Sequence, residues 1–200
     1  MGKRNSTVLF NSIAKIYGLF YEIQKRRFNQ VIEIVKKELD IKQFKTVLDV
    51  GCGTGALCSV MNNMGISVTG VDPAEKMLNI AKDKPENKEI VFTQANILEG
   101  LPFEDKSFDA SIASYVAHGM GKEERKLMYA EMKRVTRSKV IIYDYNENRS
   151  LVTTIIEWLE GGDYFNFIKH AESEMRECFS DVKAVHVDVR VTWYICEAED

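Results

Sequence analysis

Residues 47–55 read Val-Leu-Asp-Val-Gly-Cys-Gly-Thr-Gly. An apolar run of strand character enters a turn with glycine at every second position. A helix pattern then begins at once, with Leu57, Val60, Met61 and Met64 on one face and Gly65 closing it. A strand that turns this tightly into a helix belongs in an α/β layer, where the helix packs back across a parallel sheet. Gly51, Gly53 and Gly55 lack Cβ atoms, so the backbone can take unusual φ/ψ values and approach a ligand closely. The helix start at Gly55 offers N–H groups of the kind that suit an anion. Two features argue against a pyrophosphate in that place. The spacing lacks the third glycine of dinucleotide turns, and Asp49 sets a carboxylate beside the turn, a better neighbour for an α-amino group.

A second carboxylate, Asp72, ends the next strand, seventeen positions beyond Gly55. A carboxylate there can accept from both ribose hydroxyls. Asp72-Pro73-Ala74-Glu75 also reads as a capping box with proline at the first helical position. The two acidic turns together suit a ligand with an adenosine at one end and a small charged group at the other. A tight strand–helix turn that binds nothing is the plain alternative.

The rest of the chain repeats the strand–helix rhythm. Strands are expected at Thr46–Val50, Ser67–Val71, Glu89–Gln94, Phe108–Ser114 and Lys139–Asp144. Helices are expected around Phe28–Leu39, from near Gly55, around Ala74–Ala81 and after Gly121. Little alternation within the strands argues for a sheet buried on both faces. A helix over about 164–179 is expected to bury Phe165, Ile168, Ala171, Met175 and Phe179, and two strands at about 182–189 and 191–198 can only pair as an antiparallel hairpin. The expected architecture is α/β: a doubly wound, mostly parallel seven-stranded sheet with a C-terminal antiparallel hairpin. Residues 1–200 read as one domain, with cap elements at about 5–26 and 145–165.

Composition removes several function classes. The net charge is −3 with interspersed signs, which leaves no basic face for nucleic acid. No apolar run approaches the roughly 18–20 residues that span a bilayer, so no membrane partner is expected. Met1-Gly2-Lys3-Arg4-Asn5 is not followed by a signal-peptide stretch. The cysteines at 52, 58, 178 and 196 match neither a metal pattern nor a disulfide framework. Cys58 and Cys196 read as buried thiols, a cytoplasmic setting is expected, and no metal is called for.

The run at 47–55 with Asp72 after the second strand resembles class I S-adenosylmethionine-dependent methyltransferases, in their broad small-molecule branch. Gln94-Ala95-Asn96-Ile97, Leu101-Pro102-Phe103 and Ser107-Phe108-Asp109 extend the likeness, which spans roughly residues 44–145. The resemblance implies S-adenosyl-L-methionine as cofactor, S-adenosyl-L-homocysteine as its product and a small-molecule acceptor, in a monomer or homodimer. It places Gly51, Cys52, Gly53 and Gly55 at the methionine and ribose portion, with Asp49 near the amino group. Asp72 would hold the ribose hydroxyls and Pro73 the adenine face, with Asn96 and Ile97 at the adenine amine and ring. Ser114 and Tyr115 would lie near the sulfonium.

The sequence departs from the family's pattern in three places. Asn96 stands where aspartate is frequent, Thr136-Arg137-Ser138-Lys139 replaces a Pro-Gly-Gly turn, and Ser114-Tyr115-Val116-Ala117 stands where amino-directed base methyltransferases carry a Pro-Pro-Tyr signature. His118, just past the fourth strand, is the best-placed imidazole for a general base, and a solvated loop histidine is its bland alternative. Tyr17 is a second catalytic candidate. It is also one of the aromatic candidates for the pocket wall, with Tyr21, Tyr115, Tyr143, Tyr145, Tyr164 and Phe165. A non-catalytic module that binds the same cofactor, a nicotinamide-dependent oxidoreductase on the same fold, and a protein or RNA methyltransferase remain as alternatives.

Overall fold

The computed structural model describes residues 6–148 and 163–199, so most of the expected cap at 145–165 lies outside the described residues. Seven strands form one sheet: β1 (Thr46–Val50), β2 (Ser67–Asp72), β3 (Val91–Gln94), β4 (Phe108–Ser114), β5 (Thr136–Tyr145), β6 (Val182–Asp188) and β7 (Val191–Glu197). Their spatial order is β3-β2-β1-β4-β5-β7-β6. β1 to β5 run parallel, while β7 is antiparallel to both β5 and β6.

Six α-helices are described: α1 (Ser6–Leu19), α2 (Tyr21–Val35), α3 (Ala56–Asn63), α4 (Glu75–Lys82), α5 (Lys122–Val135) and α6 (Tyr164–Arg176). Alternate residues of one strand serve opposite faces of the sheet. Val47 of β1 and Ile141 of β5 pack with α2 and α3, while Leu48, Val50, Val140 and Ile142 pack with α5 and α6. A sheet covered on both sides has no polar face to show, which is why its strands read as continuous apolar runs. No helix among the described residues is long and apolar enough to cross a membrane.

Three expectations are corrected. The second helix starts at Tyr21 rather than near Phe28, because the chain breaks only at Phe20 between α1 and α2. Thr136-Arg137-Ser138-Lys139 is no turn but the first part of β5, which α5 enters without a loop. Thr136 Oγ1 donates to Ser111 Oγ of β4 at 2.7 Å and helps hold that entry in register. Phe165 of α6 is only half-buried; Tyr164 and Phe167 take the core positions instead.

Candidate active site

The strand order reverses at β1, which has β2 on one side and β4 on the other. Crevices at the carboxyl ends of strands form at such switch points. Register sets the parts level: Val50 pairs with Val71 and with Ala113, and Ser114 pairs with Tyr143.

The glycine turn sits on the β1–β2 side. Gly51, Gly53 and Gly55 have φ of 70°, 53° and 77°, in the left-handed region that disfavours side chains. Their surroundings differ. A Cβ on Gly51 would lie 2.6 Å from Val116 Cγ2, and one on Gly55 would lie 2.9–3.0 Å from Asn87, Ala81 and Phe92. A Cβ on Gly53 would meet nothing within 4 Å, so this glycine alone faces open space. Cys52 turns its thiol inward against Gly70, and burial pushes that thiol up to about 11. It can offer a ligand only its backbone.

Four of the turn's amides are already engaged. Gly51 N and Cys52 N donate to Val71 O, Gly55 N donates to Cys52 O, and Gly53 N donates to Asp72 Oδ2 at 2.9 Å. The expected anion-binding amides are therefore not on offer at these four positions. What the turn presents instead is carboxylate. Asp72 is buried and accepts a second bond from Ala74 N at 2.8 Å. Burial raises its pKa, and the two backbone N–H groups work against that rise. Asp72 is not the cap of α4, which starts at Glu75 with Ala74 at its N-cap. It clamps the glycine turn to the end of β2.

Asp49 is 1% exposed. Its Oδ2 accepts from Cys58 Sγ at 3.1 Å, and its Oδ1 has no partner among the described residues. Burial pushes its carboxyl up to about 7, with the neighbouring Asp72 adding to the rise. Two carboxylates with engaged amides between them form a site that repels phosphate. It suits a cation and hydroxyl donors.

The adenine-side residues lie beyond β3. Asn96 Oδ1 accepts from Leu98 N and its Nδ2 donates to Glu99, so it caps a 3₁₀ turn at Ile97–Glu99. The Ile97 side chain is buried in the core under α5. Pro73 is half-buried beside Asp72, and its carbonyl accepts from Gln94 Nε2 at 3.2 Å. Tyr17 of α1 packs with Phe10, Ala14, Ala74 and Met77 against α4, on the Asp72 side of the crevice. The structure places it in that cluster and His118 in another. Tyr21, 1% exposed, directs its hydroxyl to Asn87 behind the turn, so it is core rather than wall.

The β4–β5 side is built from side chains. Ser114 Oγ is buried and unpartnered among the described residues. Tyr115 follows with φ of 56°, a strained value for an aromatic residue. Its hydroxyl donates to Tyr143 at 3.2 Å, and burial raises its pKa. The rings of Tyr115 and Tyr145 lie 5.1 Å apart, and His118 lies 4.9 Å from Tyr145. His118 is not a solvated loop residue. It is buried in a 3₁₀ turn, and its Nδ1 lies 2.8 Å from Asp144 Oδ1 at the end of β5. Sequence reading missed Asp144; its position at the carboxyl end of a central strand was the available signal.

A family model described as a methyltransferase domain matches residues 48–143. The chain carries a class I S-adenosylmethionine-dependent methyltransferase domain. It is 32% identical over 175 residues to the protein MJ1252 of Methanocaldococcus jannaschii, an alignment covering 86% of this chain and 63% of that protein. It is 25% identical over 183 residues to an uncharacterized methyltransferase of Alkaliphilus oremlandii, covering 85% of this chain and 83% of that one. The first of these relatives is thus considerably longer than the matched region. The structure of human N-acetylserotonin methyltransferase in complex with SAM superposes with a TM-score of 0.72 at 16% identity, covering 98% of this chain and 60% of that one. At that identity the likeness concerns the methyltransferase fold alone. Among the described residues no group of three or more His, Cys, Asp or Glu could hold a metal.

Proposed function

We propose that this domain transfers the methyl group of S-adenosylmethionine to a small-molecule acceptor. The observation that carries the donor assignment is the glycine turn: four amides engaged within the protein, an open face at Gly53, and two buried carboxylates at its edge. That combination disfavours a dinucleotide pyrophosphate and favours a ligand with ribose hydroxyls and an α-ammonium group. The human protein of the same fold, known in complex with SAM, supports the reading.

The sulfonium, when bound, supplies an activated methyl. The chain's own residues do the rest. Asp72 accepts from the ribose hydroxyls with lone pairs not used by Gly53 and Ala74. Asp49 supplies the negative partner of the ammonium group, and Gly51, Cys52, Gly53 and Gly55 line the donor with backbone. Pro73 and the main chain of Asn96 and Ile97 flank the adenine. Tyr17, on the Asp72 side, acts as a wall and not as a proton acceptor. Ser114 and Tyr115 border the transfer point, and His118 takes the proton that the acceptor loses. Positioning the acceptor in line with the methyl contributes up to about 7–11 kcal/mol. The cytoplasmic setting belongs to the same proposal and rests on the four free thiols.

Calorimetric titration with S-adenosylmethionine and its demethylated product tests this reading. Asp72→Ala and Gly53→Val are expected to weaken donor binding by tenfold or more, while circular dichroism shows the fold retained. Donor affinity equal to the parent's in both variants would overturn the site assignment.

A further inference from the structure

α1 carries apolar residues on two sides. Its inner side, Phe10, Ala14, Tyr17 and Gly18, packs on Ala74, Met77 and Ile80. Asn11 Oδ1 accepts from Lys76 N at 2.9 Å and ties the helix to the start of α4. The outer side of a helix held this way is ordinarily polar. On α4 it is, with Glu75, Lys76, Asn79 and Lys82 exposed. On α1 it is not. Val8, Ile16 and Leu19, Phe20 at the break and Ile23 in the first turn of α2 are 50–80% exposed. These five large apolar side chains fall within sixteen consecutive residues, whereas exposed Ile34, Val91, Leu127 and Val189 lie far apart in the chain. The charge of this arm is distinct as well. No Asp or Glu precedes Glu22, and residues 1–27 hold six Lys or Arg against that one acid, in a chain of net charge −3. Lys25 pairs with Glu22 and Glu86, and Arg27 with Asp188. Lys15 and Arg26 are exposed, next to Ile16 and one turn beyond Ile23.

We propose that the outer face of α1, with Phe20 and Ile23, docks on an anionic lipid bilayer and lies in its interface. A helix in that position sets its apolar side chains at the acyl boundary and its basic ones at headgroup level. It requires no spanning run, so the short apolar runs that exclude a membrane span do not bear on it. Leu19 and Phe20, at the break between the helices, enter the boundary, while Lys15 and Arg26 meet the lipid phosphates. Charge decides between this occupant and a second copy of the chain. A symmetric pair through this face would set one basic arm against another. An anionic surface attracts the arm and repels the acidic remainder of the molecule, which turns this face towards the lipid. Because α1 packs on Ala74 and Met77, just beyond Asp72, the docked face lies beside the donor side of the crevice. The inference stands apart from the methyl-transfer reading and needs neither donor nor acceptor.

The test is sedimentation of the full chain with vesicles at about 100 mM and about 500 mM salt. One set is phosphatidylcholine alone; in the other, about one lipid in three is phosphatidylglycerol. Binding to the anionic vesicles is expected. High salt, or omission of phosphatidylglycerol, should lower the affinity by about tenfold or more. Lys15→Glu and Arg26→Glu should each lower it by about fivefold or more. Ile16→Glu combined with Leu19→Glu should abolish it, whereas Leu127→Glu, at an exposed apolar position on α5, should bind like the parent. Circular dichroism checks that each variant is folded, and Leu19→Ser carries the comparison if the double variant is not. The proposal is overturned if the parent does not sediment with anionic vesicles, or sediments equally with neutral ones. It is also overturned if the double variant binds like the parent, or if Leu127→Glu loses as much as the double variant. A dimer in light scattering that Leu19→Glu dissociates would assign the face to a second copy and overturn it too. Donor titration is a separate readout, so failure of the methyl-transfer reading and failure of this proposal are told apart.

Discussion

At the carboxyl ends of β1 and β2 the site is made of main chain: three glycines with positive φ, amides turned inward, and Asp72 clamping the turn. At the ends of β4 and β5 it is made of side chains: Ser114, Tyr115, His118 and Asp144, braced by Arg125. The first half can hold only what its backbone geometry admits, and nearly any substitution in it is a change of conformation. The second half can be altered one side chain at a time while the strands stay put. A methyltransferase whose donor is constant and whose acceptor differs between relatives would be expected to divide its site in this way.

The sharpest separation of the halves should come from Arg125. Its guanidinium is fully buried with Glu174, so Arg125→Ala leaves a lone buried carboxylate and is expected to cost about 3–5 kcal/mol. Thermal unfolding would read this as a drop of roughly 6–20 °C. Titration at low temperature should still find the donor bound. Loss of donor binding in the folded variant would show that the two halves are not independent.

A contrast within the main-chain half is smaller and more specific. Gly51→Ala combines left-handed strain with a 2.6 Å approach to Val116 and is expected to destabilise by about 2–4 kcal/mol. Gly53→Ala meets open space and should cost about 1–2 kcal/mol of strain, yet weaken the donor. Equal destabilisation by the two, measured by urea unfolding, would contradict the assignment of Gly53 as the face that meets the ligand.

A further contrast concerns pH. Burial pushes the Asp49 carboxyl up to about 7, far above its unfolded value of about 4. The native state therefore binds more protons than the unfolded chain between these limits, so stability falls as pH rises through that window. Asp49→Asn should flatten the slope and raise the unfolding temperature at pH 8. Donor binding runs the other way. An ammonium group pairs with the ionised carboxylate, so affinity should rise by up to about tenfold per unit of pH below 7 in the parent and stay level in Asp49→Asn. Isothermal titration at pH 6, 7 and 8 would check the crossing of the two trends.

The main-chain half was legible because its requirements are local. A φ of 53–77° at alternate positions excludes most residue types, so the glycines announce themselves in the chain. Asp72 was legible as a residue but misjudged as a helix cap; its bond to Gly53 crosses between two turns that no local pattern connects. The Thr136–Lys139 segment looked like a turn because a helix rarely enters a strand directly, and only the Ser111 contact across the sheet shows why it does so here.

Chain order and side-chain type alone determined that this protein would alternate strands and helices, bury a parallel sheet on both faces and bend on glycine after β1. Each of those outcomes follows from hydrophobic period and backbone sterics, which act over a few neighbouring residues. Tertiary structure alone decided that His118 would find Asp144, 26 positions away, that Arg125 would brace the turn between them, and that Gly53 rather than Gly51 would face open space. Those outcomes depend on strand order and register, which bring distant residues together at one edge of the sheet.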